Sequence, residues 1–182
     1  MGWIILAVLV ALVLIVIGMY NSLVRLRAAC ESAWADIDVQ LKRRYDLIPN
    51  LVETVKAYAA HEKGALEAVI NARAKAMSAQ GPEAKAAAEN QLSQSLKSLF
   101  ALAEAYPQLR AVEAFNQLQG SLNQVEEALQ NARRYYNAVV RDYNAKTQEV
   151  PTNFIAGWFS FAGRQFFELT ETIQREPPLV QF

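Results

Sequence analysis

The run Gly2 to Met19, GWIILAVLVALVLIVIGM, carries no charged or strongly polar side chain, and it limits everything that follows. As a helix rising 1.5 Å per residue it reaches about 27 Å, enough to cross the hydrocarbon core of a bilayer. Trp3 and Tyr20 stand at its two ends, where amphipathic rings settle at headgroup level, and they are the expected membrane anchors. A cleaved signal peptide is the competing reading. It lacks a basic leader before the run and an A-x-A-like site after it. A buried core helix fits less well, because the run is apolar on every face while the rest of the chain is amphipathic. Arg25 and Arg27 follow the run closely, and the positive-inside rule therefore puts the body of the protein in the cytoplasm.

The remaining length suits one domain. Among 182 residues, 18 Lys and Arg balance 18 Asp and Glu, and only seven glycines and six prolines punctuate the chain. No basic cluster exceeds Lys42-Arg43-Arg44, so a nucleic-acid partner is not expected. The single cysteine, Cys30, can form no internal disulfide. With one histidine beside it there is no Cys/His zinc site either, and Cys30 reads as a small apolar packing residue.

Beyond Leu23, apolar residues recur at threes and fours through Leu26, Cys30, Ala33, Ile37, Leu41, Tyr45, Ile48, Val52, Val55, Ala59, Leu66 and Val69. This predicts one helical stripe with no turn signal before Ser78-Ala79-Gln80-Gly81-Pro82, where Gly81 suits a left-handed helix exit and Pro82 a new first turn. A second helix is predicted from Glu83 to about Ala105, facing inward through Leu92, Leu96, Leu99, Phe100 and Ala103. Pro107 marks the next corner. A third is predicted from about Gln108 to Glu149. Its stripe of Leu118, Leu122, Val125, Leu129, Ala132, Tyr136, Val139 and Tyr143 alternates steps of four and three, which predicts antiparallel, coiled-coil-like packing. At about 63 Å that helix needs a partner of similar length, which the first helix supplies.

Pro151 ends the third helix, with Thr152 or Asn153 available to cap a short one. The segment after it holds Phe154, Trp158, Phe159, Phe161, Phe166 and Phe167. Such density reads as a plug at a bundle's open end, with an interfacial membrane helix as the alternative. The final PPLVQF reads as an extended tail. No long-period repeat is present.

The chain lacks the residue sets of the common chemistries. His61-Glu62 begins like a zincin motif, but no second histidine exists for it or for a di-iron bundle. There is no G-x-S-x-G elbow, P-loop or dinucleotide fingerprint. The expectation is therefore a protein without catalytic residues, metal or cofactor.

What stands out instead is geometric. Arg43, Asp46, Asn50 and Glu53 step by three, four and three, so they form one helical row, either a solvated face or a register-setting contact with another helix. Pro49, inside the same stretch, cannot donate to the carbonyl of Tyr45. Either a new helix starts with Asp46 as its cap, or one helix continues with a kink. The apolar phase is unbroken across the proline, which favours continuation. Tyr136-Asn137 and Tyr143-Asn144 lie one heptad apart and face one partner, either as core-edge aromatics or as part of a ligand site.

With these residues assembled, the chain resembles the LemA family of bacterial membrane proteins. The matching pieces are YNSLV at 20 to 24, AWADIDVQLKRRYDLIPNLVETVKAYAAHE at 33 to 62, EAYPQL at 104 to 109, ARRYYNAVVRDYN at 132 to 144 and PTNFIAGWFSF at 151 to 161. The resemblance implies one N-terminal anchor followed by a long antiparallel helical bundle. It supplies no enzyme activity, cofactor or catalytic residue. Family members are often encoded near membrane proteases or associated with membrane organisation, which implies a scaffold or adaptor. Gly120 and Thr147 depart from the helix-forming and apolar residues usual at their positions.

The expected organisation is an all-α chain with a transmembrane anchor at 1–20, a helical bundle at 21–176 and a tail at 177–182, held as a single-pass protein of the bacterial inner membrane. Its expected partners are the lipid bilayer and either further copies of itself or a membrane protein. Arg43, Tyr45, Asp46, Pro49, Asn50, Glu53, Tyr136, Asn137, Tyr143 and Asn144 are the candidate helix-interface residues. The alternative function is a receptor or signalling subunit holding a small ligand between helices.

Overall fold

A computed structural model describes residues 1–168; the predicted tail at 177–182 lies outside them. The described residues are all-α, with six helices and no strand.

Helix α1, Gly2–Tyr58, is one uninterrupted helix. It passes without a break from the predicted anchor into the predicted bundle, and it continues through Pro49, as the unbroken apolar phase requires. Every residue of 2–18 is exposed apart from a partly covered Val16, so among the described residues this apolar stretch finds no core to bury it. A helix both apolar all round and unburied fits a membrane span. From Leu23 onward the stripe turns inward: Leu23, Cys30, Ala33, Ile37, Leu41, Tyr45, Ile48, Val52 and Val55 are all buried.

The single stripe predicted to run on toward Ser78 is divided. α1 ends at Tyr58, and α2 occupies Lys63–Ser78. After buried Ala59, the next positions able to face the core are Glu62 and Lys63. With no apolar side chain there, the helix has nothing to gain from continuing. The Glu62 amide instead closes a turn on the carbonyl of Ala59, at 3.1 Å. Leu66, Val69, Ala72 and Ala76 then form the buried face of α2 in the same phase, which is why spacing alone concealed the break.

A short turn returns the chain as α3, Pro82–Ala103, packed against α2. Gly81 takes a φ of 79°, as only glycine does readily, but as the cap entering α3; the residue leaving α2 is Ala79, in extended geometry. The predicted third helix also begins later than expected. α4, Pro107–Arg110, is a single turn, and α5 is Glu113–Gln148. Between them the Asn116 side-chain amide donates to the carbonyl of Arg110 at 3.0 Å, giving a helix-end acceptor a partner outside the helical ladder. Gly120 lies within α5 without interrupting it.

The buried positions of α5 are Phe115, Leu122, Val125, Leu129, Tyr136, Val140 and Tyr143. Val140 takes the innermost place predicted for Val139, because two successive steps of four follow a 3.6-residue turn more closely than a strict heptad does. α6, Thr152–Trp158, follows a cis Val150–Pro151 bond, and the Thr152 hydroxyl donates to the carbonyl of Glu149 rather than capping the helix.

Two compact units divide these elements. The first comprises 1–40 with 128–166, and the second comprises 41–127 with Phe167 and Glu168 among the described residues.

Candidate functional site

In the second unit, the freed backbone around Pro49 has a specific use. A proline at 49 leaves the Tyr45 carbonyl without its helical donor. Arg73 of α2 takes that place, its Nε donating to the Tyr45 carbonyl at 2.8 Å. The proline thus turns an ordinary helix acceptor into a docking point for a second helix.

The residues beside that carbonyl extend the junction. Arg44 is 5% exposed and Glu89 of α3 only 1%. Arg44 donates through Nη1 to Glu89 at 3.0 Å and through Nη2 to the Ser93 hydroxyl at 2.9 Å, and it pairs with Glu126 of α5 at 3.2 Å. The Tyr45 hydroxyl donates to the other oxygen of Glu89, and the Lys85 ammonium lies 6.0 Å from the Tyr45 ring centroid. Burial pushes the Glu89 carboxyl above its ordinary 4.5, while the Tyr45 hydrogen bond and the Arg44 charge pull the other way. Removing Arg44 strands Glu89 in low dielectric, whereas Arg44 keeps Glu126 when Glu89 is lost, so the network favours this pairing of helices.

The predicted row occupies the next face of α1. Arg43, Asp46, Pro49, Asn50 and Glu53 are all exposed. Arg43 and Asp46, with Leu47, line a groove of about 370 Å³ whose other wall is Ser121, Gln124 and Val125 of α5. Further along, the Asn50 carbonyl accepts from the Thr54 hydroxyl, and Glu53 faces Lys56 at 3.9 Å. Tyr45 belongs to the buried junction instead.

In the first unit, the tyrosine and asparagine pairs hold a segment that has no helix of its own. Tyr136 donates to the carbonyl of Gln165 at 2.9 Å, and Tyr143 to that of Ala162 at 3.0 Å. Asn144 binds Arg164 twice: its Nδ2 donates to the carbonyl at 2.9 Å, and its Oδ1 accepts the amide at 2.8 Å. The fit is close at Gly163, where a Cβ would lie 3.3 Å from the Asn144 oxygen and crowd it. Arg164 reaches Glu31 of α1 at 2.6 Å, and Trp34 meets the Tyr136 ring edge-on at 5.3 Å. Burial raises both phenols and the buried Cys30 thiol, while the nearby Arg164 opposes it. Asn137 is half-buried beside them.

The two predicted anchors differ in setting. Trp3 is exposed, whereas Tyr20 packs against Phe159 and Phe161 with ring centroids at 4.8 and 5.6 Å. His61 is exposed, and among the described residues no three His, Cys, Asp or Glu side chains gather as a metal site.

Sequence reasoning overlooked Arg44, Arg73 and Glu89. A signal for two of them was present. Arg44 lies three residues after Leu41 and four before Ile48, and Glu89 three after Ala86 and three before Leu92, so opposite charges fall on two inward-facing stripes. Arg73 had no such marker, because its partner is a backbone carbonyl.

Among curated relatives, the chain is similar to two proteins of Paramagnetospirillum magneticum, Magnetosome protein MamQ 2 and Magnetosome protein MamQ 1. Each is 22% identical over 185 residues, covering 87% of this chain and 68% of the relative. The family model described as LemA family matches residues 33–182, which include the α1 junction, the tyrosine and asparagine pairs and α6. The chain belongs to the LemA family.

Proposed function

We propose that this protein is a membrane-anchored helical scaffold or adaptor, with its bundle on the cytoplasmic side, that self-associates or docks a membrane protein through the row Arg43, Asp46, Asn50 and Glu53. The supporting observation is the division of labour on α1. Its buried face is engaged by the Arg44 junction, while the polar row next to it stays exposed, with Arg43 and Asp46 lining a groove. The same helix carries the apolar segment that fits a membrane span, so a partner bound to the row is tethered to the membrane through α1.

The receptor alternative draws less support from the tyrosine and asparagine pairs, since Tyr136, Tyr143 and Asn144 already hold backbone groups of 162–165. The test is crosslinking in intact membranes followed by mass determination of the extracted protein. The scaffold reading expects a defined oligomer or partner complex. A strictly monomeric protein that carries nothing with it contradicts it.

A further inference from the structure

The first unit carries an aromatic face that is exposed among the described residues. α6 buries Thr152, Ile155 and Ala156, which share one side of the helix. On the opposite side stand Phe154, 59% exposed, and Trp158, 78% exposed, and Phe159 just beyond is 53% exposed. Aromatic rings crowded into water are costly, and Trp is the residue that best suits a membrane–water boundary.

The position of this face relative to the span follows from Tyr20. The apolar run from Gly2 to Met19 is only about 27 Å long, so crossing a core of about 30 Å uses all of it. Tyr20 therefore lies at the near boundary, with no spare length to lift it clear. Phe159 and Phe161 touch Tyr20 edge-on, at 4.8 and 5.6 Å between centroids. Val16 and Met19, on the same side of α1 as Tyr20, are partly covered, unlike the rest of the run. Arg27 lies 5.2 Å from the Phe161 ring centroid, and Arg25 is exposed, as befits the phosphate layer just outside.

We infer that the α6 face formed by Phe154, Trp158 and Phe159 is a second membrane contact, seated in the interfacial layer of the bilayer that α1 crosses. It rests on the reading that α1 spans a membrane. The consequence is mechanical: a single span can tilt and rotate freely, whereas a span clamped through Tyr20 to an interfacial aromatic face holds the first unit at a fixed depth and rotation.

The test uses the full-length chain in phosphatidylcholine vesicles whose acyl chains carry bromine near the carbonyl end. Two single-tryptophan forms are compared, Trp3→Phe/Trp34→Phe, which leaves Trp158, and Trp34→Phe/Trp158→Phe, which leaves Trp3. Both indoles are expected to lose about half their emission to the brominated lipid, as rings at headgroup level do. Should Trp34→Phe unsettle the fold, the difference between wild type and Trp158→Phe reads the same quantity with Trp34 in place. If Trp3 is quenched while Trp158 answers only to an aqueous quencher, the interfacial contact is overturned and the span stands. Shielding of Trp158 from both quenchers means that protein covers it, which also overturns the contact. If neither indole is quenched by the lipid, the span fails and the contact with it.

Discussion

The two units fix their polar interiors by different means. In the second, side chain meets side chain: Arg44 joins Glu89, Ser93 and Glu126, and Tyr45 joins Glu89. In the first, Tyr136, Tyr143 and Asn144 reach main-chain groups of 162–165. Complementary side chains choose a particular helix neighbour, because any other neighbour leaves a buried charge unpaired. Bonds to backbone hold an irregular strip of chain whatever its side chains are, apart from Gly163, where a Cβ would press on the Asn144 side chain. Arg73 combines both modes, a charged side chain on a backbone carbonyl that Pro49 has released.

The largest effect that separates these modes is expected at Arg44. Arg44→Met strands Glu89 in the interior, and the full chain in detergent should lose about 3–5 kcal/mol of unfolding free energy at neutral pH, measured by denaturant titration. Asn144→Ala in the first unit removes two bonds to Arg164 and should cost about 2 kcal/mol. Its distinguishing sign is local: hydrogen exchange at the Arg164 amide should accelerate more than exchange in the core of α5. Equal acceleration throughout would mean that the segment is not held separately.

Arg73→Met leaves the Tyr45 carbonyl without its donor, at a cost of about 1–3 kcal/mol. Adding Pro49→Ala restores a helical N–H to that carbonyl, so the double variant should be more stable than Arg73→Met alone. If the second change makes matters worse, the partnership of Pro49 and Arg73 is wrong.

Glu89 gives the smallest effect and one with a definite sign. Its folded pKa is raised above 4.5, so between that value and the folded pKa the native chain holds a proton the unfolded chain has released. The contribution of Glu89 is thus fully present below 4.5 and is lost as pH rises through the window. Glu89→Gln should cost only about 1 kcal/mol, since Arg44 keeps Glu126, and the variant should lack this component of the pH slope.

How much of this was legible in the sequence depends on the kind of force involved. Burial repeats with helical period, so the stripe Leu41, Tyr45, Ile48, Val52 and Val55 carried α1 through Pro49, and the unbroken apolar run up to Met19 marked the candidate span. The break at 59–62 was hidden because the phase resumes at Leu66. Only the missing apolar residue at 62 or 63 betrayed it. The row Arg43 to Glu53 drew notice because its charges are contiguous on one face, whereas Arg44 and Glu89, which lie inside, interrupt apolar stripes and read as noise. The hold on 162–165 had no pattern to find, since its acceptors are main-chain atoms that look alike in every sequence.

The scaffold reading is tested most directly by reversing the exposed row. Asp46→Lys combined with Glu53→Lys changes two exposed acids on α1 and leaves the Arg44 junction untouched. Crosslinked complex formation in membranes should collapse in this variant, while its unfolding free energy stays within about 0.5 kcal/mol of wild type. A complex that forms undiminished on an equally stable chain would contradict the assignment of this row as the docking face.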